Sequence, residues 1–344
     1  MTNKITEKYF TQGDFSKLKA KALKEVAAET GFSVDREIFR GMIYDPLKVG
    51  SLIFKGSYQG KPAVLKLQGL KPHVEESVMI KSFNRQNQSK KIRLPKLYLD
   101  KTWNEKTGYG YLITELIEAP KLFRLPFADH ADQKLYADFF QEYRTKALVT
   151  PWLPPDALNS LELTLARIKN WRKISEFKKH LAKDDYLPYL NKYLDIIPNH
   201  LEKIPLVFCH GHLTADDIFR LPDNTYVLMS NLFWCYRPQW YELAFNLWAC
   251  LVHINDTSYT FKKIAQYIET WISVYRSIPV VQTDRNFNHT ILTLLLERII
   301  GIILVDLGAT EFFGRPKNQS LLKHQLKLHH QLFDYLISKL SSTA

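Results

Sequence analysis

Apolar positions near the start of the chain recur at helical spacing through Leu18, Ala22 and Val26, with Asp14 or Ser16 as the cap and Gly31 as the stop. The period then shortens. Ser51 to Tyr58 and Pro62 to Gln68 are short, partly alternating runs joined by Gln59-Gly60-Lys61, a turn carrying the glycine that a hairpin needs. From His73 to Asn84, after Pro72, helical spacing returns through Val74, Val78, Met79 and Phe83. Leu94 to Leu99 and Tyr109 to Leu116 predict two further strands around a polar turn through Asn104 and Gly108. Residues 1–118 thus predict a small α+β domain with the order helix, hairpin, helix, hairpin.

Beyond Pro120 the pattern predicts amphipathic helices over Asp132 to Lys146, Leu158 to Ala182 and Tyr186 to Glu202, with Pro151, Pro154 and Pro155 marking a loop. One β-like insert interrupts them: Leu206 to Cys209, then Ile218 to Leu221, the turn Pro222-Asp223-Asn224, and Thr225 to Met229. Residues 119–344 therefore predict a helical domain carrying a loop and hairpin over 206–234. Its greasiest stretch, Ile291 to Leu307, is broken by Glu297, Arg298 and Asp306, short of the roughly 20 apolar residues a bilayer needs, and predicts a buried helix. Met1 to Phe10 lacks the apolar core of a secretory signal, and Cys209, Cys235 and Cys250 are too few to staple a fold of this size. A cytoplasmic protein without a transmembrane segment is expected.

Composition changes the picture only modestly. The 344 residues are 46% apolar and 13% aromatic, which excludes disordered and fibrous chains. A formal charge of +12 favours anionic partners without naming one. The basic run Arg167, Lys169, Arg172, Lys173, Lys178 and Lys179 has no interleaved aromatics and reads as a solvated helix face. His324, His329 and His330 are not spaced as metal ligands and read as solvated too, while Trp234, Trp240 and Trp248 are expected to pack the helical domain.

Candidate chemistry begins at Ala63-Val64-Leu65-Lys66, where a lysine inside an apolar strand requires either solvent or an anionic partner. Glu76 on the next helix is the expected partner, with Glu75 as the fallback. A small sheet domain with this Lys and Glu, followed by a helical domain holding a His-Gly loop and a hairpin, resembles the protein-kinase-like bilobal fold. In particular it is similar to the aminoglycoside phosphotransferase and choline kinase family, an α+β fold whose small antiparallel-sheet lobe and larger helical lobe place ATP between them. The resemblance implies that Lys66 touches nucleotide phosphates and that Gly50 and Ser51 occupy the phosphate-loop position, although no GxGxxG is present. It also implies adenine contacts from the backbone of Glu115 to Ile117, after the strand Tyr111-Leu112-Ile113-Thr114-Glu115-Leu116.

The sharpest likeness lies in Val207-Phe208-Cys209-His210-Gly211-His212-Leu213-Thr214-Ala215-Asp216-Asp217-Ile218, which resembles the family's catalytic loop, HGDLxxxN. His210, Gly211 and Leu213 are kept; His212 stands at the catalytic aspartate position and Asp217 at the metal-binding asparagine position. Counting back from Glu242-Leu243-Ala244, with Pro238 placed as in choline-kinase-like members, puts Ser230, followed by Asn231, where the family has its metal aspartate. Three chemical positions altered within a kept frame imply a pseudoenzyme, either still nucleotide-binding with weakened use of Mg²⁺ or turned into a binding module. Two other readings stay open. One is an active ATP-dependent small-molecule kinase, with Asp217 and either Ser230 or Asn231 on the metal and His212 accepting a hydroxyl proton. The other is an adaptor for an anionic partner. His210 is expected to be structural, and the acceptor, whether small molecule or protein, is unspecified.

Overall fold

The computed structural model describes residues 15–42, 49–148, 150–309 and 318–343, so Asp14 and the Met1 to Phe10 stretch lie outside the described residues. Of Ser16, Leu18 and Lys178 only the backbone is described. The chain divides into two units: Met1–Arg85, Arg93–Ala119 and Val227–Leu232 form the first, and Gln86–Ile92, Pro120–Tyr226 and Phe233–Ala344 the second.

In the first unit, helix α1 (Phe15–Thr30) precedes strands β1 (Ser33–Met42), β2 (Val49–Tyr58) and β3 (Lys61–Gln68) and helix α2 (Glu76–Gln86). The short strand β4 (Ile92–Arg93), whose Ile92 is counted with the second unit, is followed by β5 (Leu97–Asn104) and β6 (Tyr109–Glu115). An antiparallel sheet in the order β1-β2-β3-β6-β5 results. Alternation along β3 puts Ala63, Leu65 and Leu67 into a core shared with Ala22 and Val26 of α1, Phe32, Leu52, Phe54, Tyr111 and Ile113. The opposite face of β3 carries Val64 and Lys66. The β2–β3 turn is shorter than expected: Lys61 already pairs with Tyr58, and the two turn residues Gln59 and Gly60 have φ of 51° and 72°. That left-handed pair is a type I′ geometry, which glycine adopts without strain.

Strand β1 has no counterpart in the sequence prediction. Its register against β2 slips at three points, and Val34, Ile38 and Phe39 remain exposed, so its apolar residues do not alternate with a buried face. The expected strand Leu94 to Leu99 is displaced: Leu94-Pro95-Lys96 separate β4 from β5, and β5 runs on to Asn104.

The second unit contains helices α3 (His130–Glu142), α4 (Ser160–Lys178), α5 (Lys183–Ile196) and α6 (Pro198–Leu201), then strands β7 (Leu206–His210), β8 (Ile218–Arg220), β9 (Tyr226–Leu228) and β10 (Trp234–Pro238). Helices α7 (Tyr241–Val252), α8 (Phe261–Arg276), α9 (Pro279–Gln282), α10 (Phe287–Leu304) and α11 (Gln319–Thr343) follow. Residues 227 and 228 of β9 fall in the first unit.

Helix α3 starts where the Asp129 side chain accepts the Asp132 N–H, and its expected last turn widens into a π-turn, Tyr143–Ala147. The expected helix Leu158 to Ala182 starts at Ser160 and ends early, at Lys178, because Lys179 turns left-handed at φ 50°. The next one breaks at Pro198, which has no N–H to continue it. Helix α10 is buried along nearly its whole length, as its pattern predicts, and among the described residues no helix is long and apolar enough to cross a membrane. Trp234, Trp240 and Trp248 are buried.

Two surface assignments need correction. Arg167 does not join the solvated face: its Nε lies 2.7 Å from the buried Glu297, whereas Lys169, Arg172, Lys173 and Lys179 are exposed. His329 is buried with Nδ1 2.7 Å from the Gln325 carbonyl, and His330 stacks on Tyr189, because one face of α11 is packed rather than wet.

Candidate functional site

The sheet unit holds one half of the candidate residues. Lys66 Nζ and Glu76 Oε2 form an ion pair at 2.5 Å with both side chains largely shielded from water. The parity of β3 aims Lys66 away from the Leu65 and Leu67 core. Glu76 is the first residue of α2, where the helix N-terminus favours a carboxylate. Glu75, the alternative partner, instead accepts the Trp103 N–H at 2.9 Å. A pair so placed leaves a cation fixed on a sheet face, the arrangement needed to meet an anionic oxygen.

Gly50 and Ser51 lie in β2, and the Gly50 carbonyl accepts the N–H groups of Gly69 at 2.9 Å and Leu70 at 3.4 Å. Residues 43–48, where a phosphate loop would be completed, lie outside the described residues. Glu115 is committed locally. Arg93 clasps its carboxylate with contacts of 2.7 and 2.9 Å, and its N–H donates to the Lys96 carbonyl at 2.9 Å. Burial alone would raise its pKa, but the Arg93 clasp holds it below the usual carboxylate value. The Glu115 N–H is therefore already engaged, because the chain doubles back at Lys96. Ile117 follows just after the strand, half-buried.

Ser230 adopts φ 58°, a left-handed conformation, and Asn231 opens a single 3₁₀ turn. Asn231 is buried and its Nδ2 donates to the Leu228 carbonyl at 3.0 Å. Its amide thus serves the turn.

The helical unit builds the loop. Strands β7 and β10 pair antiparallel with His210 opposite Trp234 and Cys209 opposite Cys235. The His210 N–H is shared by Tyr143 Oη at 2.8 Å and Glu242 Oε1 at 3.2 Å, and its fully buried ring meets Trp234 edge-on. Tyr143 Oη in turn donates to Glu242 Oε1 at 2.5 Å, and Arg144 approaches Oε2 at 3.4 Å. Burial raises the Glu242 pKa despite these partners. The π-turn aims both Tyr143 and Arg144 at Glu242, a role that the sequence does not display. Burial likewise raises the Cys209 and Cys235 thiols, which makes them poor nucleophiles.

Gly211 donates its N–H to the Phe233 carbonyl, and a Cβ there would lie 2.6 Å from Cys235 Sγ and 2.9 Å from that carbonyl. Only glycine fits so tight a passage. The chain then rises into the 3₁₀ turn Ala215–Asp217, which folds Asp217 back onto His212. His212 Nδ1 lies 2.9 Å from Asp217 Oδ2, and the same oxygen accepts from Thr214 Oγ1 at 3.0 Å. The imidazole is stacked on Phe233 at 4.8 Å and tilted against Phe245 at 4.9 Å.

Desolvation disfavours the His212 cation, yet the Asp217 carboxylate outweighs it and raises the pKa above the ordinary histidine value. The ring is therefore biased towards imidazolium, and its Nδ1 is engaged. Asp216, the neighbouring acid, is paired with Lys121 at 2.5 Å.

This donor set does not suit Mg²⁺ in the manner the resemblance implies. A hard dication needs oxygen donors with net negative charge. Asp217 is instead shared by the His212 ring and a hydroxyl, and Ser230 and Asn231 offer only neutral oxygens. Among the described residues, no group of three His, Cys, Asp or Glu gathers to hold a metal.

At the level of sequence, no family model and no curated protein matches the chain. Solved structures do. A Plasmodium vivax ethanolamine kinase aligns with a TM-score of 0.58 at 14% identity, covering 98% of this chain and 95% of its own. An amicoumacin kinase in complex with AMP-PNP, Ca²⁺ and Ami aligns at 0.58 with 12% identity, over 93% and 96% of the two chains. A thermostable mutant of an aminoglycoside phosphotransferase, in ternary complex with ADP and hygromycin B, aligns at 0.55 with 12% identity, over 90% and 97%.

Proposed function

Taking as premise that the chain has the kinase-like fold of the aminoglycoside phosphotransferases and ethanolamine kinases, we propose that it binds a nucleotide through its sheet unit and does not transfer the phosphoryl group. The observation that carries this reading is the His212–Asp217 pair at 2.9 Å. Phosphoryl transfer is mostly positioning and charge neutralisation, with an aspartate beside the acceptor hydroxyl and carboxylate or amide oxygens on the metal. Here a ring biased towards imidazolium stands at the aspartate position and engages Asp217, while Asp216 is taken by Lys121. Imidazolium neither accepts a hydroxyl proton nor attracts a dication.

Support for retained nucleotide binding comes from the Lys66–Glu76 pair and from the adenine nucleotides named in two of the similar structures. Three free thiols, Cys209, Cys235 and Cys250, suit a reducing compartment, which we take to be the cytoplasm. The test is steady-state release of ADP from ATP with Mg²⁺ and a panel of hydroxyl acceptors. The expected rate is no higher than that of the protein-free control. Turnover that Asp217→Ala abolishes would instead establish a working kinase whose metal rests on Asp217.

A further inference from the structure

Tyr241, buried at the start of α7, is ringed by guanidinium groups: the Cζ atoms of Arg167, Arg298 and Arg237 lie 5.1, 5.3 and 5.5 Å from its centroid. Arg298 is also stacked 4.5 Å from the Trp171 ring and is only 4% exposed. Glu297 is the one carboxylate paired with any of the three among the described residues. Its Oε1 takes both Arg167 Nε at 2.7 Å and Arg298 Nη2 at 3.0 Å. Three guanidiniums less one carboxylate leave two charges without a paired anion. Other acids of the unit are employed elsewhere: Glu242 by Tyr143 and Arg144, Asp306 by the Trp248 indole, Asp284 by the Trp240 indole.

The unmet donors are particular atoms. Nε of Arg298 and Nε of Arg237 are both shut off from solvent and have no acceptor among the described residues. Stacking on aromatic faces offsets part of the cost of burying a guanidinium, but not the loss of a hydrogen bond at Nε. The Nε edge is also the edge that receives a carboxylate or phosphate two-pronged. Among the described residues Glu297 Oε2 lacks a donor as well.

The cluster adjoins the loop described above. A Cβ on Gly211 would lie 3.5 Å from Arg237 Nε, and Phe245 contacts both the Tyr241 ring, at 5.7 Å, and the His212 ring.

We propose that the Nε edges of Arg298 and Arg237, gathered around Tyr241 beside the His210–Leu213 loop, bind the oxyanion of a small molecule, a carboxylate or a phosphate. The site takes the opposite charge to ethanolamine, and it does not depend on the nucleotide reading, since all its residues belong to the helical unit. Calorimetric titration of the full chain with inorganic phosphate and with acetate tests it, with ethanolamine as the cationic control.

At least one of the two anions binds, the tighter one naming the oxyanion, and ethanolamine does not. The affinity persists in Lys66→Met, which removes the cation of the sheet unit, and falls roughly 10-fold or more in Arg237→Gln and Arg298→Gln. Arg237 is half-exposed, so Arg237→Gln decides the matter if Arg298→Gln does not fold. Absence of binding by both anions, loss in Lys66→Met with retention in Arg237→Gln, or binding of ethanolamine in their place overturns the proposal.

Discussion

A histidine beside a buried aspartate owes its charge to that neighbour, and His212 carries this relation into the middle of the loop. Its folded pKa is raised, so the native state holds the proton more tightly than the unfolded chain, whose value is about 6.5. Stability from the pair is therefore fully present below about pH 6.5 and fades as pH rises through the raised folded value. His212→Asn should be less stable than the parent by up to about 1 kcal/mol near pH 6, a figure already reduced because about a third of the ring meets solvent. Chemical denaturation across pH checks this: the gap should narrow as pH rises through the raised folded value, and a constant gap would mean that packing on Phe233 and Phe245 holds the ring instead. The pairing is not legible in the sequence. It spans five positions, and only the 3₁₀ turn brings the two side chains together.

At the scale of elements, α10 shows what an apolar pattern conceals. Glu297 and Arg298 look like interruptions in a greasy run, yet they face Arg167 of α4, so the two helices share a buried charge cluster. Glu297→Gln removes the carboxylate that both guanidiniums use. We expect a loss of about 3–5 kcal/mol, read from urea unfolding, because two buried cations are then left without their anion. A loss under about 1 kcal/mol would show that stacking on Trp171 and Tyr241 suffices. Elements whose buried and exposed residues alternate cleanly, such as β3, or whose turn chemistry is local, such as Gln59-Gly60, were readable from the sequence. Strand β1 was not, since its exposed Val34, Ile38 and Phe39 and its slipped register mimic no regular period. Nor was the π-turn after α3, which takes its shape from the distant Glu242 it serves.

For the molecule as a whole, the order of elements carried the fold. A lysine strand followed by a glutamate helix, then a His-Gly loop between paired strands, suffices to recognise the kinase-like architecture that the solved structures share at 10–14% identity. The formal charge of +12 resolves into something more particular: surface lysines on one hand and a buried arginine cluster on the other. The chemistry was legible only as a set of substitutions, because their consequence depends on which atoms the replaced side chains reach. Calorimetric titration of ATP into the full chain, with Mg²⁺ and again with chelator, tests whether the nucleotide is held without the metal-dependent chemistry. Binding is expected in both conditions with affinities within about 3-fold of each other, since Mg²⁺ finds no charged ligand set to bridge to; tightening by more than about 10-fold on adding Mg²⁺, or no binding in either condition, would overturn the proposed function.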